Sequence, residues 1–351
     1  MAEVNPELWE EVTTAVALTE FARAEVDAYD LQDTLGDVFP VRTTDDLEYE
    51  IRNTSIVRRP VAEYRTYNAA SPISSGDVSG SKVEGELPPI SIKDRLSEYD
   101  RLRLRGITND AKLQDAILNP TGALVNQILD RVELARGQTL SEGQITMDEN
   151  GIDQAVIAFN RDASLEVTAG TLWDVIATAT PADDLMTHLE IYEDLNNFRP
   201  GSIMMSSRIY RYLLQSDVLR DYTIGATQAG QISRLLRSQV DAIFADLGIP
   251  PIRIFNRKVN VANAAGTVTL TDVIPDNEVI FLPPTPVGPT LYGVTADSLE
   301  IAGLAAAQEG IVASAMSTWD PVAKWTKASA IVLPMPGDGM IDATAVLTVL
   351  A

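Results

Sequence analysis

The stretch from Arg58 to Ile92 constrains this chain most. Arg58-Arg59-Pro60-Val61-Ala62-Glu63-Tyr64 leads through Ser74-Ser75-Gly76-Asp77-Val78-Ser79-Gly80 to Leu87-Pro88-Pro89-Ile90-Ser91-Ile92. Two β-prone flanks surround a Gly/Ser tip, with Tyr64, Thr66 and Tyr67 on one side and Ile90 and Ile92 on the other. The pattern predicts one hairpin of roughly forty residues, where the ordinary hairpin loop has about two to five. Between Ile73 and Leu87 the large apolar residues are Val78 and Val83 alone. A hairpin with so little to bury is marginal by itself. It gains stability by lying on another molecule, so the chain is expected to assemble.

The rest of the chain is ordinary enough to fold. Its 351 residues allow two domains and a sizeable core, and 45% of them are hydrophobic. No apolar run reaches the ~18 residues of a membrane span. The start, Met1-Ala2-Glu3-Val4-Asn5-Pro6-Glu7, is acidic and lacks the basic region of a signal peptide. Cysteine is absent, which removes disulfides and thiolate metal sites and fits synthesis in a reducing compartment.

Charge is abundant and unevenly placed. The formal net charge is -23, the wrong sign for a free nucleic-acid binder. Residues 1–50 hold 14 acids and 2 bases, whereas residues 51–105 hold 7 acids and 10 bases. Either these are two solvated surfaces, or the acidic segment of one copy meets the basic hairpin of the next, where complementary charge sets register and speeds encounter.

Along the chain, residues 3–35 read as helical, with Leu8, Val12, Ala15, Leu18 and Ala22 at three- and four-residue steps. With few hydrophobics nearby, this stretch is expected to be an extended arm docked elsewhere. Residues 41–57 read as extended. A helix is predicted from Asn119-Pro120, with Asn119 as N-cap, the stripe Leu124, Ile128, Val132 and Ala135, and Gly137 as its stop. Gln144–Met147 and Ile152–Phe159 flank Asn150-Gly151, a hairpin signature. Thr180-Pro181 opens a helix carrying Leu185, Leu189, Tyr192 and Leu195, followed by a strand at Ser202–Met205 and a helix with Ile209, Tyr212, Leu213 and Leu214. A further helix is read from Ile232 to Leu247, then strands at Ile252–Phe255, Val279–Leu282, Trp325–Leu333 and Ala343–Leu350. Strands and helices mix without a strict βαβ rhythm, so the fold class is α+β.

Catalytic chemistry is poorly supplied. His188 is the only histidine, and Asp184 lies one turn before it. A metal site would need a second nitrogen or sulfur ligand, so the pair reads as an exposed charged helix face. A Ser-His-Asp triad would have to use His188, and no Gly-x-Ser-x-Gly elbow presents a serine. Asp148-x-Asn150-Gly151 lacks the glutamate that completes a calcium loop. Neither phosphate-binding glycine motif is present. No catalytic, cofactor-binding or metal-ligating residue and no cofactor is assigned. Trp173, Trp319 and Trp325 read as core or subunit-contact aromatics. Arg58-Arg59 and Arg101-x-Arg103-x-Arg105 are the densest basic spots, the latter on one face of an expected strand. Three guanidiniums on one face want carboxylates or phosphates. The candidates for inter-subunit contact are therefore Arg58, Arg59, Arg65, Arg101, Arg103 and Arg105 on the basic side and Glu10, Glu11, Asp27 and Asp30 on the acidic side.

The order of parts resembles the major capsid proteins of tailed bacteriophages, the lambda protein E-like group with the Hong Kong 97-type fold. Pro60-Val61-Ala62-Glu63-Tyr64 with its Ser/Gly tip, the passage Ile107 to Gln144, Gly288-Pro289-Thr290-Leu291-Tyr292-Gly293, Trp319-Asp320-Pro321 and Lys327-Ala328-Ser329-Ala330-Ile331-Val332-Leu333-Pro334 carry the resemblance. It covers essentially the whole chain as architecture and loose pattern.

The resemblance implies an N-terminal arm (1–50), a long E-loop hairpin (51–105), a P-domain (106–169 with 319–351, its spine helix about 120–137) and an A-domain (170–318). It implies homo-hexamers and homo-pentamers in an icosahedral shell, with heterologous interfaces that close by rotation. The shell would enclose double-stranded DNA without sequence-specific binding, its acidic wall letting the DNA slide. Assembly would take place in the host bacterial cytoplasm and end in the virion, with no membrane partner. A separate scaffolding protein is expected, since the chain begins almost directly with its arm, together with a portal and a decoration protein. Lys82 and Lys93 are available for crosslinking but lack a specific acceptor, so a non-covalent shell is expected. Two other readings compete: an encapsulin-like nanocompartment shell on the same fold, and an acidic hydrolase using a carboxylate pair.

Overall fold

The computed structural model describes residues 7–8, 13–30, 32–54, 80–96, 99, 110–147, 155–224, 234–262, 266–301, 309–319 and 322–351. Its axis is one helix, Asp110–Glu142, 33 residues long, which we call the spine helix. At 1.5 Å per residue it extends about 50 Å. It begins earlier and ends later than its sequence signals predict. Pro120 sits inside it rather than at its first turn, where it removes one backbone donor without ending the helix. Gly137 does not stop it either. A Cβ there would lie 2.0 Å from the Val273 carbonyl oxygen, so glycine at this position serves a close crossing. The stop is Gly143, at φ +61. Beyond it, Arg161 donates to the carbonyls of Thr139 (3.1 Å), Leu140 (2.7 Å) and Ser141 (3.1 Å), placing a cation on the negative end of the helix.

The spine helix lies on one face of a six-stranded sheet. The strand order is Glu7–Leu8, Val312–Trp319, Val322–Pro334, Thr290–Gly293, Val41–Thr43, with Pro89–Leu96 also paired to Val322–Pro334. Alternation sorts the residues of these strands. Ile90, Ile92, Ala313, Ala315, Ala328 and Ala330 pack in one cluster with Leu124, Val125, Ile128, Leu129 and Val132 of the spine helix. Four alanines on that face let the helix backbone approach closely.

The helix nearest the N-terminus is shorter than predicted, Ala15–Asp30, and it docks on its own chain. Leu18, Ala22 and Tyr29 join the same cluster, and Thr19 Oγ1 donates to the Ala313 carbonyl at 3.1 Å. The helix is thus part of the body rather than an arm docked elsewhere, because the spine helix supplies the apolar surface that local sequence lacks. The following turn is anchored too: Leu35, Val38 and Phe39 are buried with Met204, Ile280 and Val346.

A second sheet has the order Ile252–Ile254, Ser202–Met205, Glu278–Leu282, Ala345–Thr348, Glu166–Thr168. Helices Pro181–Asn196, Ser207–Leu213 and Arg237–Asp246 contribute residues to its apolar cluster around Trp173, Tyr192 and Phe281. The predicted helix at Ile232 starts only at Arg237, with Leu236 at its N-cap position and 67% exposed. Sheet membership crosses the expected domain divisions: Ala345–Thr348 pairs with Glu278–Leu282 of the central region, and Val312–Trp319 belongs to the spine-helix sheet. The α+β class and the small hairpin Gln144–Met147 with Ala155–Ala158 are as read, while Asn150-Gly151 falls outside the described residues.

Candidate assembly surface

The long hairpin is real at its base and differently registered from its prediction. Glu48–Thr54 pairs antiparallel with Gly80–Glu86, forming a two-stranded ribbon separate from both sheets. The segment with Tyr64, Thr66 and Tyr67 lies outside the described residues. Ile90 and Ile92 are not a hairpin flank; they belong to the sheet strand Pro89–Leu96. The hairpin strand before them ends at Glu86, and Leu87-Pro88 separates the two. Tyr49, Ile51 and Leu87 tie the ribbon into a cluster with Ile145, Ile157, Phe159 and Leu333. Tyr49 lies opposite Gly85, where a Cβ would come 2.5 Å from its hydroxyl oxygen.

Toward its base the other face of the ribbon is acidic, and two residues beyond Glu50 in the register Arg52 stands opposite Lys82. Glu48 opposes Glu86 and Glu50 opposes Glu84, all four exposed, with exposed Asp45 and Asp46 just before. Like charges directly opposite each other destabilise a strand pair.

The outer face of the spine-helix sheet is basic and aromatic. Lys93 opposes Lys327, and Arg95 opposes Trp325. The Lys93 Nζ lies 4.8 Å from the Trp325 ring centre and the Arg95 Cζ 5.6 Å from it, both within cation–π range. Trp325 Nε1 donates to Thr318 Oγ1 at 3.2 Å, fixing the ring. Lys327 is neutralised by Asp297, at 2.6 Å, which also accepts from Ser329. Burial opposes ionisation of Asp297, but the hydrogen bonds from Lys327 and Ser329 hold its carboxyl below the ordinary carboxylate range.

Elsewhere charges are spent inside the chain. Glu133 and Arg136, on the spine helix, are both buried and lie 3.1 Å apart. Glu133 also accepts from the Leu35 amide at 2.7 Å, and Arg136 Nε donates to Thr290 Oγ1 at 3.0 Å. Thr290 in turn donates to the Phe39 carbonyl at 3.0 Å. Burial pushes the Glu133 carboxyl up despite Arg136 and that amide. Arg253 pairs with Asp37 at 2.6 Å and Asp33 at 3.2 Å. Two acids of the first 50 residues therefore serve their own central region. Arg257 stacks on Tyr29 at 4.4 Å from Cζ to the ring centre, and burial followed by the hydrogen bond to Asp130 pushes the Tyr29 phenol far up.

The sequence-derived candidates fall mostly outside this picture. Arg58, Arg59, Arg65, Arg101, Arg103, Arg105, Glu10 and Glu11 lie outside the described residues, and Asp27 and Asp30 are on the last turn of the helix Ala15–Asp30. Sequence reading missed Lys93, Arg95 and Trp325 as a unit; the signal was the alternation Ile90-x-Ile92 against Lys93-x-Arg95.

Catalytic geometry is not assembled at the histidine. His188 is buried, not on an exposed helix face, and its ring meets Phe281 edge-on with centres 4.9 Å apart. Burial pushes the imidazole down to about 4. Asp184 accepts instead from Trp173 Nε1 at 2.9 Å. Among the described residues no group of three or more His, Asp and Glu is placed to hold a metal ion.

Comparison with known proteins bears on the same architecture. A capsid protein candidate from a prophage of E. coli CFT073 superposes with a TM-score of 0.56 at 13% identity, covering 95% of this chain and 99% of its own. A phage-related protein from Bordetella bronchiseptica RB50 gives 0.52 at 12% identity, covering 94% and 95%. At such identity the likeness concerns the fold, which is the Hong Kong 97-type capsid fold. No curated protein matches the chain. The family described as phage major capsid protein E matches residues 35–345. That span takes in most of both sheets, the spine helix and the hairpin, and so this chain belongs to the phage major capsid protein E family.

Proposed function

We propose that the chain forms hexamers and pentamers of the icosahedral head of a tailed phage and encloses its double-stranded DNA. The observation that carries this reading, beside family membership, is the ribbon Glu48–Thr54 with Gly80–Glu86. It leaves the body through a small apolar base and carries acids facing acids on its exposed side. An isolated two-stranded ribbon is marginal, and neighbouring copies supply what it lacks. Interfaces spread over several neighbours exceed the ~1,600 Å² of a standard contact and permit correction during growth. The role is structural rather than enzymatic.

On this reading the divisions 1–50 (arm), 51–105 (E-loop), 106–169 with 319–351 (P-domain) and 170–318 (A-domain) serve as an outline, with Ala15–Asp30 seated on the spine helix, the hairpin opening at Glu48 and Pro89–Leu96 joined to the spine-helix sheet. Scaffolding, portal and decoration functions come from separate proteins. The net charge of -23 suits an inner wall that does not hold DNA tightly. Arg58, Arg59, Arg65, Arg101, Arg103 and Arg105 contact neighbouring copies, with Glu10, Glu11, Asp27 and Asp30 as acidic counterparts. Reversing Arg58 and Arg59 to Glu is expected to block shell formation while leaving a folded subunit. Normal assembly of that variant at low salt removes those two residues from the interface.

The test is negative-stain electron microscopy of the purified chain, alone and co-expressed with its neighbouring genes. Closed shells of uniform size are expected, and packaged DNA inside them identifies a phage head. An enzyme cargo instead of DNA would make the shell a nanocompartment. A persistent small oligomer under all conditions overturns the reading.

A further inference from the structure

We infer that the acidic outer face of the hairpin base on one copy docks on the Lys93–Arg95–Trp325 surface of the next. This deepens the shell reading and rests on it. Among the described residues no carboxylate pairs with Lys93 or Arg95, in a chain of net charge -23. Both cations rest on one indole ring, where their mutual repulsion is relieved only by an anion between or above them. The indole is oriented by Thr318 and gathers both cations on one exposed face, which suits carboxylates. Arg95 and Lys93 also stand two residues apart on one strand face, about 7 Å from each other along the strand.

The matching surface is on the same chain. Glu48 and Glu86 face each other directly, and Asp45 and Asp46 extend the patch. Among the described residues no base pairs with any of these four. Within one copy the two surfaces lie on separate strands, and among the described residues no ion pair joins Glu48 or Glu86 to Lys93 or Arg95. A carboxylate pair without cations and a cation pair without carboxylates, on different faces of one subunit, define a heterologous contact. Repeated around a ring it closes and satisfies every copy.

Four chains test this at low salt by sedimentation velocity and electron microscopy: the natural sequence, Lys93→Glu with Arg95→Glu, Glu48→Lys with Glu86→Lys, and all four changes together. All the altered side chains are exposed, and a melting curve for each confirms the fold. Lys93→Gln with Arg95→Gln is a milder second variant. Each reversed pair is expected to lose shells, and the four-fold exchange to recover them. The Gln pair should assemble only at higher protein concentration and lose its dependence on salt. If either reversed pair builds shells as readily as the natural sequence, the inference is wrong and the shell reading stands. The same follows if both pairs fail, remain folded, and are not rescued by the exchange. If the natural sequence never associates, the shell reading itself falls and takes this contact with it.

Discussion

The spine helix and the hairpin base use charge in opposite ways. Along the spine, Glu133 and Arg136 are buried as a pair, and the pair reaches other segments of the chain: Glu133 accepts from Leu35, and Arg136 donates to Thr290. At the hairpin base Glu48 opposes Glu86 on an exposed face. A buried charge left unpaired costs several kcal/mol, so the body must compensate its own charges before anything else binds. An exposed like-charge pair costs far less. It can wait for a partner, and a subunit that must fold first and assemble later needs both kinds of surface.

The largest effect that would break this comparison is in the buried pair. Glu133→Ala is expected to destabilise the subunit by about 3–5 kcal/mol in chemical unfolding, because Arg136 is then left buried without its counter-charge. Replacing both, Glu133→Leu with Arg136→Met, should recover most of that loss. If Glu133→Ala is nearly silent, the pair is not a clasp between segments.

Next in size is the buried histidine. Its imidazole titrates near 4 in the folded chain against about 6.5 when unfolded, so the unfolded state takes up the proton first. Stability present above pH 6.5 is therefore lost as pH falls from about 6.5 towards 4, by about 3 kcal/mol. His188→Phe should flatten that part of the stability–pH curve. Glu278 works the other way. Burial raises its carboxyl to about 6, so its contribution is present at acid pH and lost as pH rises through 6.

A smaller effect is expected at the half-exposed ion pairs. Arg253→Ala removes the contacts to Asp33 and Asp37 and should cost about 0.2–1 kcal/mol, reduced further by salt. The smallest belongs to the hairpin base. Glu86→Lys should leave subunit stability within about 0.5 kcal/mol of the natural chain, or raise it slightly by relieving repulsion from Glu48. An unfolding curve shifted downward by more than that would mean the acidic face is part of the fold rather than of the assembly.

Much of the architecture is legible in the chain because it rests on local period. Alternation marks Gln144–Met147 and Val322–Pro334, a short apolar run marks Ser202–Met205, and three- and four-residue spacing marks Pro181–Asn196. Less of the candidate surface is legible. Arg95 and Trp325 are far apart in sequence and become neighbours only through strand pairing, so no local pattern announces them. Helix ends fail for a related reason. Asn119-Pro120 carries a start signal and Gly137 a stop signal, each worth a few kcal/mol at most, and packing along a long apolar stripe outweighs them.

What the amino-acid order determines by itself is therefore local and compositional: an α+β chain without cysteine, strongly acidic, with a hairpin too poor in apolar residues to stand alone. Those properties follow from side-chain period, turn chemistry and charge, none of which needs a partner. Tertiary structure decided the rest. It seated the helix Ala15–Asp30 on its own spine, because Leu18 and Ala22 found Leu124 and Ile128 there. It placed Gly137 against Val273 instead of at a helix end, since only a residue without a Cβ admits that crossing. It also buried Glu133 and Arg136 as a pair and left Glu48 and Glu86 facing each other at the surface, because burial penalises an unpaired charge and water does not.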